Sequence, residues 1–252
     1  MRKITILLIG ALIIASAVLI AGCITPHDEN QTNNTKIKAP VLTVSVEKQT
    51  SNIYANDKIQ FILPSNPTTG YNWEITSSDG LTVEEHYAQR ENSENLDGAG
   101  GAQTYIISAE KAGTYTFTAV YKRSWEDNAP LYTFTQTIVV NDIDGHTASP
   151  DPIMIVRFDG NVNPSVGDNV EIITAGNPTT GYEWKVSSKS DVRLVKENYI
   201  VDEHEEGMVG VGGTYKWYVT AEKAGTYTFG AEYKRSWEEG TANSFFFNLT
   251  FI

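Results

Sequence analysis

Residues 66–73 read Asn-Pro-Thr-Thr-Gly-Tyr-Asn-Trp, and residues 177–184 repeat them as Asn-Pro-Thr-Thr-Gly-Tyr-Glu-Trp. Three further segments recur in the same order. Gly-Ala-Gly-Gly at 98–101 returns as Gly-Val-Gly-Gly at 210–213, residues 109–117 return unchanged at 221–229, and Lys-Arg-Ser-Trp-Glu at 122–126 returns at 234–238. The number of residues between corresponding positions of the two copies is too large for a solenoid repeat, so the chain carries two copies of a whole domain.

Each copy consists of short runs in which apolar and polar residues alternate, separated by turn residues, and no segment shows a helical period. In the first copy these runs cover 41–46, 58–63, 71–76, 81–87, 104–109, 114–122 and 131–140. Seven short strands in about 100 residues are typical of an immunoglobulin-like sandwich. The predicted fold is therefore all-β, with two tandem immunoglobulin-like β-sandwich domains.

Two aromatic positions in each copy are predicted to be structural. Trp73 lies on the third strand, where such sandwiches often keep a core tryptophan, and Tyr115 opens the sixth strand in the manner of a tyrosine corner. Trp184 and Tyr227 are their counterparts in the second copy. Core packing explains all four residues without any binding role.

The N-terminus reads as an export signal. Arg2 and Lys3 precede an apolar run at 4–21, and the run ends in Leu-Ile-Ala-Gly-Cys at 19–23. This ending resembles a prokaryotic lipobox, which implies cleavage before Cys23 and lipid attachment to its thiol. The alternative is an uncleaved anchor, since such a run is just long enough to span a bilayer.

Both interpretations place the rest of the chain outside the cytoplasmic membrane, anchored to its outer face or to another envelope membrane of a prokaryote. The predicted organisation is a lipoprotein signal peptide at 1–22, a flexible polar tether at 23–40, domain 1 at 41–141, a linker at 142–152 and domain 2 at 153–252.

Composition argues against several functions. The net charge of −12 argues against nucleic acid, whose phosphates need a basic surface. Cys23 is the single cysteine, so the domains hold neither a disulfide nor a cysteine nucleophile. The histidines lack a partner at metal-ligand spacing, and the carboxylates occur in runs typical of solvated faces. We expect no enzymatic activity, no cofactor and no metal.

Three of the repeated segments fall on loops at one end of the predicted sandwich. With the strands lettered A to G, residues 66–70 form the B–C loop, 98–101 end the D–E loop and 123–125 open the F–G loop. Each segment alone can be explained by a purely structural role: a tight turn, a flexible hairpin end, or a tryptophan folded onto its own domain. Their near identity between copies, while the tether, linker and C–D segments differ, favours a binding role.

The ordered set of Asn-Pro-Thr-Thr-Gly-Tyr, Gly-x-Gly-Gly and Arg-x-Trp resembles the chagasin family, and it occurs twice. Members of this family are immunoglobulin-like inhibitors of papain-like cysteine proteases. One departure stands out: the family's third motif usually reads Arg-Pro-Trp, and here Ser124 and Ser236 replace the proline. Loss of proline loosens the loop and should raise the entropic cost of ordering it on binding.

The resemblance implies a reversible, non-covalent inhibitor that acts as a monomer, with the B–C loop in the middle of the protease cleft and the other two loops on either side. Trp125 would be an apolar anchor, and Thr68 and Thr69 would lie nearest the catalytic cysteine. The implied protease-binding residues are Asn66, Pro67, Thr68, Thr69, Gly70, Gly98, Gly100, Gly101, Arg123, Trp125, Asn177, Pro178, Thr179, Thr180, Gly181, Gly210, Gly212, Gly213, Arg235 and Trp237.

The main rival is a non-inhibitory surface module that binds carbohydrate or mediates adhesion. Such a module would display aromatic side chains along a strand face, and Tyr105, Tyr121 and Tyr132 are candidates for that role. A third interpretation is an envelope spacer whose loops are merely repeated turns.

Overall fold

The computed structural model describes residues 37–50, 52–77, 79–90, 98–187 and 192–252, so the predicted signal peptide, Cys23 and most of the tether lie outside the described residues. The described residues form fourteen strands: β1 (Leu42–Lys48), β2 (Ile59–Ser65), β3 (Asn72–Ser77), β4 (Thr82–Gln89), β5 (Gly101–Ser108), β6 (Gly113–Lys122), β7 (Tyr132–Val140), β8 (Met154–Gly160), β9 (Val170–Gly176), β10 (Glu183–Val186), β11 (Arg193–Val201), β12 (Gly213–Thr220), β13 (Gly225–Lys234) and β14 (Asn243–Phe251).

The all-β prediction is confirmed. Strands β1–β7 belong to the first repeat and β8–β14 to the second, and the ends of the seven strands predicted in the first repeat shift by at most three residues. The part of the chain that the structure describes contains no α-helix, only 3₁₀ turns at Pro67–Thr69 and Pro178–Thr180. It holds no helix long and apolar enough to cross a membrane.

The strands form one eight-stranded sheet and two three-stranded sheets. The large sheet has the order β11-β12-β9-β1-β8-β2-β5-β4, and the small sheets have the orders β3-β6-β7 and β10-β13-β14. Aromatic rings join the layers: Tyr105 on β5 contacts Phe117 on β6, and Trp217 on β12 contacts Phe229 on β13. Each small sheet therefore covers one half of the large sheet.

The predicted structural aromatics lie where a sandwich requires them. Trp73 is buried, and its indole N–H donates to Pro64 O over 2.9 Å. Tyr115 Oη donates to Lys111 O over 2.8 Å, which closes the corner at the start of β6. The second repeat has the same pair of bonds, from Trp184 to Ala175 and from Tyr227 to Lys223.

The large sheet is shared between the repeats because the first strands are exchanged. β1 pairs in parallel with β9 of the second repeat, while β8 pairs in parallel with β2 of the first. The two exchanged strands, β1 and β8, pair with each other in antiparallel fashion at the centre of the sheet. Each half-sandwich is thus completed by a strand from the other repeat.

The exchange produces one continuous core. Phe158 on β8 contacts Phe134 of the first repeat and Phe247 of the second, with ring centroids 5.0 and 5.7 Å apart. The buried Gln136 on β7 donates to Asn248 O and accepts from Asn248 N, at 2.9 and 2.7 Å. These bonds satisfy a polar group that would be costly to bury unpaired, and they tie β7 to β14.

The segments predicted as tether and linker contain residues bound to the loops that lead into β2 and β9. Lys38 forms an ion pair with Asp168, and its carbonyl accepts from Asn169. In the linker, His146 Nε2 lies 2.8 Å from the buried carboxylate of Asp57. The boundaries assigned to the two domains stay predictions, but strands from both sides of the predicted linker are hydrogen-bonded into the one large sheet.

Candidate functional site

The B–C loop of the first repeat is a short, internally bonded turn. Pro67–Thr69 forms a 3₁₀ turn in which Gly70 N donates to Pro67 O over 2.9 Å. Gly70 has φ of +82°, a left-handed conformation that glycine adopts without strain. Thr69 Oγ1 donates to Asn66 O at 2.6 Å, and Thr68 Oγ1 donates to Asn66 Oδ1 at 2.7 Å. The threonine side chains themselves remain exposed at the tip.

Asn66 joins the B–C loop to the D–E loop. Its side-chain Nδ2 donates to Gly98 O over 2.9 Å, and its backbone N donates to the hydroxyl of Tyr121 over 2.8 Å. One side chain therefore holds two loops that are 32 residues apart in sequence.

Arg123 joins the F–G loop to the B–C loop. Its Nε donates to Thr69 O over 3.2 Å, and its guanidinium lies 4.5 Å from the centre of the Tyr71 ring. Nη1 donates to Glu126 Oε1 over 2.8 Å, and Glu126 N donates back to Arg123 O over 3.2 Å. The ion pair thus closes the turn in which Ser124 takes the place of the family's proline.

The ion pair shifts the titration of both partners. The hydrogen bond from Arg123 lowers the pKa of Glu126 from its ordinary value of 4.5, and a further bond from Asn128 acts in the same direction. The same bond raises the pKa of Arg123. Glu126 is therefore ionised at neutral pH and keeps the guanidinium positioned against the B–C loop.

Trp125 lies beside the tip of the B–C loop with most of its surface free. Its side chain is 68% exposed, which is unusual for the largest apolar residue. A Cβ placed on Gly70 would come within 2.6 Å of the Trp125 ring, so the ring packs directly on the glycine backbone. Gly70 therefore has two roles: it permits the turn, and its lack of a side chain leaves room for the tryptophan ring.

The three loops form one edge, which we call loop cluster 1 (66–70, 98–101 and 123–126). The second repeat builds an equivalent loop cluster 2 (177–181, 210–213 and 235–238) with corresponding contacts, in which Arg235 donates through Nη2 where Arg123 donates through Nε. Asn177 Nδ2 donates to Gly210 O over 2.8 Å, Arg235 Nη2 donates to Thr180 O over 3.1 Å, and Trp237 is 69% exposed. The sequence prediction that the three motifs of each copy meet in space is confirmed by these contacts.

The last glycine of the D–E motif has an intramolecular role that the sequence did not reveal. A Cβ on Gly101 would lie 2.1 Å from Ala88 O, and one on Gly213 would lie 2.2 Å from Ile200 O. The neighbouring strands β4 and β11 approach too closely for any side chain. The requirement for glycine at these positions is met within the domain, whether or not a partner is bound.

Sequence reasoning missed residues that hold the cluster together. Glu126 and Tyr71 position Arg123, and Tyr121 accepts from Asn66 N. Tyr71 and Glu126 lie inside the repeated segments, and Tyr121 immediately precedes one of them, so their identity in both copies was the available signal.

The aromatic face expected of a carbohydrate-binding or adhesive module is absent at the residues proposed for it. Tyr105 is 0% exposed and Tyr121 is 6% exposed, so both belong to the core. Tyr132 is partly buried and stacks on Tyr121 with ring centroids 5.9 Å apart. In the described part of the chain no three His, Cys, Asp or Glu side chains are grouped so as to hold a metal ion.

A family model described as Chagasin family peptidase inhibitor I42 matches residues 52–140 and 163–251. The chain belongs to the chagasin family. Both matches begin after the exchanged strands, so β1 and β8 lie outside the segments that the family model covers. The resemblance noted from the loop motifs is confirmed for both repeats, and membership in this family does not favour the adhesive module.

Two curated relatives are similar to one repeat each. Amoebiasin-1 of Entamoeba histolytica is 41% identical over 71 residues, which cover 28% of this chain and 69% of the relative. Chagasin of Trypanosoma cruzi is 34% identical over 79 residues, which cover 29% of this chain and 70% of the relative. The solved cysteine protease inhibitor EhICP2 of E. histolytica is 27% identical, with a TM-score of 0.31 over 35% of this chain and 82% of that one.

Proposed function

We propose that the protein is a reversible, non-covalent inhibitor of papain-family cysteine proteases and that each loop cluster occupies the active-site cleft of one protease. The observation that carries this proposal is that three separately encoded loops are hydrogen-bonded into one exposed edge, in both repeats. Membership in the chagasin family supports it. The contact residues proposed from the sequence remain part of this proposal.

The shape of the B–C tip suits a cleft with a reactive floor. A papain-like enzyme holds a thiolate beside an imidazolium, and its substrates must present an extended peptide bond to that thiolate. The tip here is a 3₁₀ turn with Thr68 and Thr69 outermost. Such a turn fills the cleft without presenting an extended peptide bond to the thiolate, so no covalent step is required.

The affinity would come from an anchor on a preordered loop. Trp125 supplies a large apolar surface with few rotatable bonds, the kind of residue that dominates binding hot spots. The bonds of Asn66 and Arg123 fix the three loops before contact, which lowers the entropy lost on binding. The Arg123–Glu126 ion pair takes over part of the restraint that proline gives in other members of the family.

The experiment that tests this function is inhibition of papain by the full chain carrying Thr180→Trp, which blocks loop cluster 2 and leaves cluster 1 to be measured alone. Adding Thr69→Trp should abolish the remaining inhibition, because the indole would collide with the cleft floor. Thr69→Ser is the matched control and should inhibit like its parent, since it keeps the hydroxyl that bonds to Asn66 O. Undiminished inhibition by the double tryptophan variant would contradict the proposal.

We also propose that the protein is exported and held on a prokaryotic envelope membrane by a lipid on Cys23, and that it acts there as a monomer. The support is the charged start, the apolar run and the Leu-Ile-Ala-Gly-Cys ending of the leader. The parent protein should begin at Cys23 and carry an acyl mass there, and Cys23→Ser should lose both the cleavage and the acyl mass, as measured by mass spectrometry of the membrane fraction. A parent protein that keeps residues 1–22 and carries no acyl mass would favour the uncleaved anchor.

A further inference from the structure

The exchanged strands set the two loop clusters in opposite directions. β2 is parallel to β8, β8 is antiparallel to β1, and β1 is parallel to β9. It follows that β2 and β9 run antiparallel in the same sheet. Each B–C loop follows the C-terminal end of one of these strands, so the two clusters emerge where the strands of the shared sheet end, on opposite sides of it.

The strand register gives the separation. Ile62 on β2 is level with Arg157, Arg157 with Ser45, and Ser45 with Ile173 on β9. From this common level β2 continues three residues to Ser65, and β9 continues three residues to Gly176 in the opposite direction. At about 3.3 Å per residue the two loop origins lie about 20 Å apart along the strands, and three strand spacings add about 14 Å across the sheet.

The twist of the sheet turns the two directions only partly back toward each other. Neighbouring strands rotate by about 20–25°, so three steps give about 60–75°. The clusters therefore point about 105–120° apart. The tryptophans at the two ends are exposed to the same degree, 68% for Trp125 and 69% for Trp237, so neither is covered by the other repeat.

The angle between the clusters is fixed by buried contacts. Gln136 and Asn248 exchange two hydrogen bonds across the junction of the small sheets. The buried Asn163, between β8 and β9, accepts from Thr133 N at 2.6 Å and donates to Thr133 O and Thr250 O. The repeats are therefore parts of one body, in contrast to two domains on a flexible linker.

We propose that one chain binds two papain-like proteases at the same time, one at each edge, in a rigid and divergent arrangement. This inference rests on the proposed function and goes beyond it, because inhibition alone does not require simultaneous occupancy. Since the clusters point apart, occupation of one leaves the approach to the other open, and the two sites act independently.

The test is a titration of active-site-titrated papain with the full chain, at concentrations well above the dissociation constant, together with the mass of the complex by analytical ultracentrifugation. The parent chain should give an endpoint of two papain molecules per chain and a complex of matching mass. Thr69→Trp and Thr180→Trp should each give an endpoint of one, and the affinity of each cluster should change by less than about twofold when the other is occupied.

The outcomes separate the two proposals. An endpoint of one for the parent, with both single variants inhibiting, means that the sites obstruct each other; this overturns simultaneous binding and leaves the inhibitor function intact. An endpoint of one for the parent with one single variant inactive likewise overturns it, because only one cluster binds. Absence of inhibition by parent and variants, all with an unchanged melting temperature, overturns the inhibitor function itself. Trp125→Ala and Trp237→Ala serve as second variants if a tryptophan substitution lowers that temperature.

Discussion

Replacing Val44 by alanine should destabilise both repeats, although the residue belongs in sequence to the first. Val44 is 0% exposed on β1, which lies between β8 and β9. Two buried methyl groups at about 0.8 kcal/mol each, with the cost of the cavity added, give about 2–3 kcal/mol. For a folded region of this size, that loss lowers the melting temperature by about 4–12 °C.

The assay is native-state hydrogen exchange of the full chain, resolved to peptides from β6 and β13. These strands lie in the small sheets of the first and second repeat. If the shared sheet unfolds as one unit, slow exchange in both strands should accelerate by the same factor of about 30 to 140, which corresponds to the loss of 2–3 kcal/mol. Ser45→Ala, on the same strand with a half-buried side chain, is the control and should change neither.

Acceleration in β6 alone, with β13 unchanged, would refute the strand exchange. That result is expected if β1 packs only on its own repeat, as in two independent sandwiches. Equal acceleration in both strands cannot arise from independent domains, because a local loss in one repeat would leave the other protected.

Three further predictions concern loop cluster 1, measured in the Thr180→Trp background. Trp125→Ala should weaken papain inhibition by about 2 kcal/mol or more, the hot-spot range, and a loss below a few tenths would remove its role as an anchor. Ser124→Pro should tighten inhibition about two- to fivefold, because proline suits the second position of the turn that is closed by the hydrogen bond from Glu126 N to Arg123 O. Weaker inhibition by a variant with an intact fold would show that binding requires the backbone conformation of the serine. Glu126→Gln should weaken inhibition at pH 7 by up to about fivefold. Because the pKa of Glu126 is lowered, the ion pair is fully present above the ordinary glutamate value of 4.5 and is lost as the pH falls through the lower pKa of the folded protein. The ratio of parent to variant affinity for papain should therefore approach one in acid. A ratio that does not change with pH would rule out the ion pair as the source of the difference.

Much of the fold within each repeat could be predicted because it depends on local patterns. Alternation of apolar and polar residues marked the strands, and the core positions of Trp73 and Tyr115 followed from their places on the third and sixth strands. The meeting of the three loops followed from the order of strands in such a sandwich. These properties are set by side-chain periodicity and chain order, both of which are visible in a single sequence.

The hydrogen bonds and ring contacts within the site were harder to predict. Arg123 was expected to contact the protease, yet in the free protein it donates to Thr69 O and Glu126 and lies over Tyr71. A sequence shows that an arginine is repeated, but its partners depend on how far a long side chain reaches across a loop. The replacement of proline by Ser124 therefore looked like a loss of rigidity, whereas the structure places an ion pair across the same turn.

The exchange of first strands lies beyond single-sequence reasoning for a physical reason. β1 and β8 have the same alternation, so either can cover the edge of β2 or of β9. The choice depends on strand direction. A parallel neighbour needs a connection of about a dozen residues or more, and only ten residues, 49–58, separate β1 from β2, while nine, 161–169, separate β8 from β9. Once the first strand lies parallel to the second, its partner must come from the other repeat, and the pairing of β1 with β8 then joins the two sandwiches and directs their binding edges apart.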